Sequence, residues 1–226
     1  MNPNLTKLET IIGYEFKDKA LLATSLVHRS SLNEPDVKES NERLEFLGDA
    51  VLELLITDYL FHQKPEEPEG FLTSARSAVV KTESLSSIAN NLNLGEYLRM
   101  SKGEAASGGR KNPSILEDAL EALIGAIYKD GGLENSHKFI ASFIFPFTDK
   151  VLSLKELKDP KSLLQEKVQA QGQTSPIYQV ESESGPDHDK TFQVNVTIGN
   201  KVLGQGTGKN KQEAEQQAAR QALDLL

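Results

Sequence analysis

The amino-acid sequence predicts an all-α region followed by a small α-β-β-β-α unit. Up to about residue 150 the apolar residues recur at helical spacing, and no strand-like alternation of any length appears. From residue 192 to 198 apolar and polar residues alternate strictly, as in a strand with one buried face. A chain of 226 residues fits one or two domains of about 150 residues each. We therefore expect two domains, at residues 1–151 and 160–226, joined by a short charged linker at 152–159.

The first region has the apolar periodicity of a series of helices. Short helical patterns come first, around residues 8–12 and 21–26. The longer predicted helices span residues 41–61, 72–92 with Thr73 as N-cap, 113–129 and 134–154, with a break at Asp130-Gly131-Gly132. These segments predict a domain built from helices.

The second region changes its period. A short helix at 162–170, stopped by Gly172, precedes a strand at 177–180. The alternating strand at 192–198 turns at Gly199-Asn200 into a third strand around 202–203. The closing helix, at 211–226, carries an apolar stripe of alanines and one leucine.

The composition is that of an ordinary globular protein, with 38% hydrophobic and 26% charged residues. The sequence has no cysteine, which excludes a disulfide framework, cysteine-ligated metal centres and a thiol nucleophile. The first residues lack the basic and apolar segments of a secretory signal, and no apolar run approaches the ~18–20 residues that span a bilayer. We expect a soluble cytoplasmic protein with no membrane partner.

The net charge of −8 argues at first against a nucleic-acid partner, because phosphate binding usually goes with a basic balance. The excess is not evenly spread. Residues 158–226 have a balance of −1, and residues 1–157 have a balance of −7. The negative charge therefore belongs to the first region, where it clusters.

Three carboxylates share one side of the predicted helix at 41–61. Glu42, Glu45 and Asp49 fall within an arc of about 60° at 100° per residue. Apolar residues that we expect to be buried occupy the opposite face: Leu44, Leu47, Val51, Leu54 and Leu55. Like charges at this spacing repel by a few tenths of a kcal/mol per pair, so the acidic face requires something to offset it.

The predicted helix at 113–129 repeats the arrangement. Asp118 and Glu121 lie about 60° apart, and the small residues Ala122 and Gly125 beside them leave room for another element or a ligand. The plainer explanation of any one such pair is an acidic face in contact with water. Clusters of acidic oxygens are also the ligands that Mg²⁺ selects, with waters and substrate phosphates completing its coordination.

The segment NERLEFLGDAVL, at residues 41–52, resembles the signature of ribonuclease III, the endonuclease specific for double-stranded RNA. Further segments agree with that family: GYEFKDKALLATSLVHRS, EGFLTSARSAVV and SKGEAASGGRKNPSILEDALEALIGAIYKDGG. The carboxy-terminal α-β-β-β-α unit resembles the double-stranded-RNA-binding domain that follows the nuclease domain in bacterial members. The resemblance covers essentially the entire chain.

The resemblance implies metal-dependent cleavage of double-stranded RNA to 5′-phosphate and 3′-hydroxyl ends, in the processing of ribosomal RNA precursors and other structured transcripts. It implies Mg²⁺ as the cofactor, with Mn²⁺ as a substitute, and no small-molecule cofactor. It also implies an all-α homodimer in which each subunit's site cuts one strand. The alternative function is a protein that binds double-stranded RNA without cutting it.

The family's functional acids can be placed on this sequence by position. Four residues match its catalytic and divalent-metal carboxylates: Glu45, Asp49, Asp118 and Glu121. Glu42 and Glu69 match two further acids that line its cutting valley. All six positions are acidic here, which favours the enzyme over the non-cleaving alternative.

Phe46 lies beside the carboxylates and away from the predicted leucine face. One interpretation is an isolated exposed aromatic side chain, which is common. The other is an aromatic anchor that fills a pocket on a second subunit, and the family's dimerisation favours this one. A two-fold dimer would contain the anchor and its pocket twice.

Three places in residues 160–226 could grip an RNA duplex. Gln165 and Glu166 lie on the polar side of the first helix, and Pro186 and His188 lie in the first hairpin loop. Lys209, Asn210 and Lys211 precede or begin the last helix, where a helix start and two cations favour an anion. Together they fit recognition of A-form RNA by its shape, although lysines in a turn also serve solubility alone.

Overall fold

The computed structural model describes residues 4–153, 160–186 and 190–226. The chain folds into two compact units, Met1–Leu154 and Lys155–Leu226. The first unit is helical, and the second combines three strands with two helices, which confirms the predicted fold class. The last helix of the first unit extends to Ser153, two residues into the predicted linker, and residues 154–159 lie outside the described residues.

The described part of the first unit contains nine α-helices. They are α1 (Leu5–Ile12), α2 (Lys19–Ser25), α3 (Glu42–Gln63), α4 (Glu69–Val80), α5 (Thr82–Asn91), α6 (Leu94–Tyr97), α7 (Lys102–Ala106), α8 (Pro113–Phe143) and α9 (Phe145–Ser153). Short 3₁₀ turns occur at Arg29–Ser31 and Gly109–Lys111.

The helix predicted at 72–92 is two helices, α4 and α5. Lys81 between them has extended backbone angles, φ −70° and ψ 154°, and the chain changes direction there. The prediction of Thr73 as N-cap is wrong, because α4 already begins at Glu69, after Pro68. Thr73 instead donates a hydrogen bond of 2.8 Å from its hydroxyl to the Glu69 carboxylate.

The break predicted at Asp130-Gly131-Gly132 is a kink within α8. Gly132 has φ 74° and ψ −177°, a conformation that glycine adopts without steric cost. The Asp130 carboxylate accepts hydrogen bonds from the Tyr14 hydroxyl, at 2.7 Å, and from the backbone N–H groups of Lys17 and Asp18. The kink is thereby tied to the segment between α1 and α2.

Helices α3 and α8 form the centre of the first unit. The two helices pack along each other, and Leu52 and Ile56 of α3 and Leu120 and Leu123 of α8 are fully buried. The prediction that Leu54 is buried is wrong: its exposed fraction is 55%. Leu54 lies about 130° around α3 from the centre of the buried side, so it faces away from α8.

The second unit consists of α10 (Pro160–Ala170), β1 (Ile177–Ser184), β2 (Thr191–Ile198), β3 (Lys201–Gly208) and α11 (Lys211–Asp224). The sheet is antiparallel with strand order β1-β2-β3. One face of it packs on the two helices, because the alternation of β2 places Val194, Val196 and Ile198 on the same side. Leu164 and Val168 of α10 complete this core.

Helix α11 lies unusually close to β3. Gly204, Gly206 and Gly208 face it, and a Cβ atom on any of them would collide with the backbone of α11. At this separation, two glutamine side chains of α11 reach the strand. Gln217 accepts a hydrogen bond from the backbone N–H of Thr207, and Gln221 accepts one from that of Gln205, both at 2.5 Å.

Candidate active site and RNA-binding surface

The predicted carboxylates meet where α3 and α8 cross. Gly48 and Gly125 form the crossing point, since a Cβ on Gly48 would collide with the Glu121 backbone carbonyl and a Cβ on Gly125 with that of Leu44. No side chain separates the two backbones there. The glycine pair therefore places Glu45 and Asp49 of α3 beside the carboxylates of α8.

Glu121 lies at the centre of the acidic group. Only 9% of it is exposed. Burial is the largest cause that raises the pKa of Glu121 to about 8, and the charged neighbours that contribute to this rise are all carboxylates: Asp49, Glu117, Glu45 and Asp118. A buried carboxyl group with this environment holds a proton at neutral pH unless a cation replaces it.

The pKa values of Glu45 and Asp118, two of the surrounding acids, are also raised, though less than that of Glu121. Burial raises the pKa of Glu45, and the charge of Asp118 raises it further. Burial likewise raises the pKa of Asp118, although His28 opposes this shift. The arrangement concentrates negative charge that water only partly solvates.

Glu117 belongs to this group and was missed from the sequence. Burial raises the pKa of Glu117, and its charge acts on Glu45 and Glu121. It precedes Glu121 by one turn of α8, so helical spacing places it on the same side of the helix, but only its burial distinguishes it from an ordinary surface glutamate.

Glu42 and Glu69 occupy different surroundings. Glu42 acts on Glu45 and Asp118 at the edge of the group, and it accepts a hydrogen bond of 2.6 Å from the Ser40 hydroxyl. Arg29 lies 3.7 Å from its other oxygen. Glu69, at the start of α4, accepts a hydrogen bond from the Thr73 hydroxyl and is not among the carboxylates whose charges raise the pKa of Glu121.

The donor set fits a divalent cation in its chemistry. Carboxylate oxygens on two helices are hard ligands, and the crowding around Glu121 is what a cation would relieve. Across the described residues, no three His, Cys, Asp or Glu side chains stand in a ready metal-binding arrangement. Repulsion among unneutralised carboxylates favours such a spread geometry.

The second unit presents the predicted RNA contacts on its surface. Gln165 and Glu166 are exposed on α10, opposite the buried Leu164 and Val168, and Pro186 is exposed after β1. His188 lies outside the described residues. Lys209, Asn210 and Lys211 are exposed at the start of α11. Asn210 is its N-cap, since its side chain accepts the Glu213 N–H at 2.9 Å.

Comparison with known proteins agrees with both units. Residues 18–147 match the family model described as Ribonuclease-III-like, and residues 160–226 match the double-stranded RNA binding motif. The chain belongs to the ribonuclease III family. It is therefore an endoribonuclease that acts on double-stranded RNA, of a family that depends on divalent metal ions.

Individual relatives of the ribonuclease III family are similar over nearly the whole chain. The Ribonuclease 3 of Caldanaerobacter subterraneus subsp. tengcongensis is 48% identical over 98% of this chain and 98% of its own. That of Clostridium perfringens is 44% identical over 99% of this chain and 94% of its own. A solved structure of the nuclease domain of ribonuclease III from Campylobacter jejuni is 47% identical, with a TM-score of 0.60. It covers 63% of this chain and 97% of that domain.

Among the residues that the structure describes, Phe46 is the most exposed large apolar side chain, with 81% of it accessible. Leu54 and Phe61, further along α3, are exposed by 55% and 65%. A cavity of about 250 Å³ opens between α3 and α4, and Leu60, Phe61 and Leu72 line it.

In the part of the chain that the structure describes, no helix is long and apolar enough to cross a membrane.

The raised pKa of Glu121 predicts how the stability of the metal-free protein depends on pH. The folded state binds this proton more tightly than the unfolded chain, whose Glu pKa is about 4.3. The stabilisation is complete below that value and is lost as pH rises through about 8. In EDTA, we expect the melting temperature of the wild type to fall more steeply between pH 5 and pH 8.5, roughly the window of this titration, than that of Glu121→Gln.

Adding Mg²⁺ provides the matched measurement. A cation and a proton compete for the same carboxylates, so Mg²⁺ should raise the melting temperature of the wild type more at the upper end of this pH range than at the lower end. Equal pH dependence of the wild type and Glu121→Gln in EDTA would contradict the assignment of this titration to Glu121.

Proposed function

We propose that this ribonuclease III uses Mg²⁺, or Mn²⁺ in its place, held by Glu45, Asp49, Asp118 and Glu121. The observation that carries the proposal is the burial of Glu121 beside four other carboxylates, at the crossing of α3 and α8. Such a group is repulsive to itself and to RNA until cations neutralise it. This also accounts for a net charge of −8 in an enzyme that acts on RNA.

Hydrolysis of a phosphodiester needs an attacking water, a stabilised charge on the phosphorus oxygens and a stabilised leaving oxygen. Bound divalent metal supplies water activation and charge neutralisation at these points. The four carboxylates hold and orient it, and the close backbone contact at Gly48 and Gly125 fixes the separation of the two helices that carry them. Cleavage between phosphorus and the 3′ oxygen leaves the proposed 5′-phosphate and 3′-hydroxyl ends.

Incubation of long duplex RNA with the protein tests this function directly. We expect cleavage in Mg²⁺ and in Mn²⁺, and none in EDTA, with fragments that a 5′-phosphate-dependent exonuclease degrades. Intact RNA in all three tubes, with the protein folded and bound to the duplex, would support the non-cleaving alternative. Cleavage that persists undiminished in EDTA would contradict the metal dependence.

We propose that the natural substrates are ribosomal RNA precursors and other structured transcripts, and that the enzyme works in the cytoplasm. The similarity to Ribonuclease 3 proteins over nearly the whole chain supports the first part. The absence of cysteine fits a reducing compartment. We propose the division of labour predicted from the sequence, with catalysis in residues 1–151, duplex binding in 160–226 and residues 152–159 as the link.

We propose that two copies of the chain pair through the exposed side of α3. Phe46, Leu54 and Phe61 give that side an apolar character that the core of the first unit does not use. In a two-fold arrangement each Phe46 is a natural occupant of the partner's cavity between α3 and α4. The Campylobacter jejuni domain is described as flexible in a region of that protein involved in dimer formation. Glu69 lines the same cavity, which would bring it to the interface.

Replacing Phe46 by Ala should weaken the dimer strongly. An aromatic anchor contributes about 2 kcal/mol or more, and a two-fold dimer loses two anchors, so the dissociation constant should rise by about a thousandfold. Sedimentation equilibrium over a dilution series measures this change. Leu133→Ala, which removes an apolar side chain of 43% exposure from α8, is the control and should leave the dimer intact. A Phe46→Ala protein as dimeric as the control would contradict the proposed interface.

A further inference from the structure

Lys211, at the first position of α11, already has partners within its own domain. Its Nζ lies 3.9 Å from Oε1 of Glu183, near the end of β1. The same Nζ lies 5.7 Å from the ring centre of Phe192, at the start of β2. The side chains of Lys211 and Glu183 are exposed by 60% and 46%, so both are accessible to a large ligand.

Two backbone N–H groups at the start of α11 also have hydrogen-bond partners within the domain. Asn210 accepts the backbone N–H of Glu213, and the Glu213 carboxylate accepts the backbone N–H of Lys209 at 2.8 Å. Two N–H groups that could otherwise meet a phosphate are therefore engaged by side chains of the chain itself. One of those side chains carries a negative charge, as Glu183 does.

We propose that Glu183 limits the affinity of this protein for double-stranded RNA by competing with a phosphate for Lys211. The inference rests on the proposed contact between Lys211 and the duplex. When a phosphate approaches Lys211, the ion pair with Glu183 must open, and the free energy of the pair is lost from binding. This competition weakens binding without requiring Glu183 to touch the RNA.

The expected size of the effect follows from the exposure of the pair. Exposed ion pairs of this kind contribute little to stability, which corresponds to a factor of about two to five in an equilibrium constant. We expect Glu183→Gln to lower the dissociation constant for duplex RNA by about this factor. In the wild type, the weaker binding that Glu183 causes should appear as faster release of the cleaved RNA, because affinity differences between related complexes lie mostly in the dissociation rate.

Glu181 offers a matched control two residues away on β1. Its carboxylate accepts hydrogen bonds from the side-chain amides of Gln205, at 2.7 Å, and Gln193, at 3.2 Å, and no described lysine pairs with it. Glu181→Gln and Glu183→Gln make the same change in net charge. A general charge effect would make both variants bind RNA more tightly by the same factor, whereas the proposed competition predicts tighter binding for Glu183→Gln alone.

The experiment measures binding of the full chain to a duplex longer than about 16 base pairs, in EDTA to prevent cleavage. The variants are Glu183→Gln, Glu181→Gln, Lys211→Ala and the double variant Glu183→Gln/Lys211→Ala, with melting curves to verify folding. We expect tighter binding only for Glu183→Gln, weaker binding for Lys211→Ala, and no gain from Glu183→Gln in the absence of Lys211.

The outcomes separate the inference from the function on which it rests. If Lys211→Ala binds RNA more weakly but Glu183→Gln binds as the wild type does, the competition is overturned and the RNA contact of Lys211 stands. The same conclusion follows if Glu183→Gln and Glu181→Gln bind RNA more tightly by the same factor. The same holds if Glu183→Gln tightens binding even without Lys211. Wild-type binding by Lys211→Ala overturns both the proposed contact and the competition.

Discussion

Glu121→Gln should abolish most of the cleavage activity while duplex RNA still binds. The substitution keeps the size of a side chain that is 9% exposed, and it removes one negative charge from the centre of the acidic group. If the carboxylates hold the metal, the loss of several kcal/mol of transition-state stabilisation corresponds to a decrease of about a thousandfold or more in the rate. Single-turnover cleavage at saturating enzyme measures it without interference from binding.

Glu117→Gln is the matched control for this experiment. Glu117 lies one turn before Glu121 on α8, and its charge is one of those that raise the pKa of Glu121, but it is not one of the four proposed metal ligands. We expect the rate of Glu117→Gln to decrease by about tenfold, the lower end for a residue that acts only through neighbouring ligands. Comparable losses in the two variants would mean that the group acts through its total charge and that Glu121 has no special role. Undiminished cleavage by Glu121→Gln would mean that the wrong carboxylates are assigned.

Gly48→Ala should disrupt the active site through the backbone. A methyl group at Gly48 would overlap the carbonyl of Glu121, and backbone atoms cannot rotate out of the way as a side chain can. Helices α3 and α8 must separate, which opens the packed centre of the first unit. We expect the free energy of unfolding to decrease by about 3 kcal/mol or more, the upper end for overpacking.

Gly70→Ala makes the same chemical change where space is available. A Cβ at Gly70, in the first turn of α4, would meet nothing within 4 Å. Alanine is the better helix former, so this variant should be neutral or more stable by up to about 1 kcal/mol. Denaturant unfolding compares the two variants, and cleavage per folded molecule shows whether Gly48→Ala also displaces the carboxylates. A Gly48→Ala protein of wild-type stability would contradict the contact between the helices.

The acidic site was predictable because helical spacing and a family signature both point to the same residues. Glu45, Asp49, Asp118 and Glu121 follow from the positions of α3 and α8, and the small residue Gly125 indicated a close approach. Glu117 could not be selected in the same way, since an exposed glutamate on a helix is the commonest case and only burial distinguishes it. The error at Leu54 has a related cause. A helical wheel shows which residues share a face, but the packing of α8 decides which face is buried.

The breaks between helices were harder to predict from the sequence than the acidic site. Lys81 has no property that requires extended backbone angles, so the division between α4 and α5 depends on the packing around it. Two consecutive glycines indicated a break near Gly132. The sequence did not show that the helix continues beyond it, so that the break is a kink within α8. Local sequence specifies where a helix can bend, whereas tertiary contacts decide whether it also ends.

The glutamine contacts to β3 bear on how this protein behaves at high concentration. An outermost strand with free N–H groups is a template on which another chain can add its own strand, and sheets that grow in this way aggregate. Gln217 and Gln221 occupy two such groups of β3, and the opposite outer strand, β1, has an irregular register between Val180 and Ser182. The border formed by β3 therefore offers fewer free donors to the strand of another copy, and the irregular register of β1 makes the opposite border a poorer template, which favours separate molecules where many copies crowd along one RNA duplex.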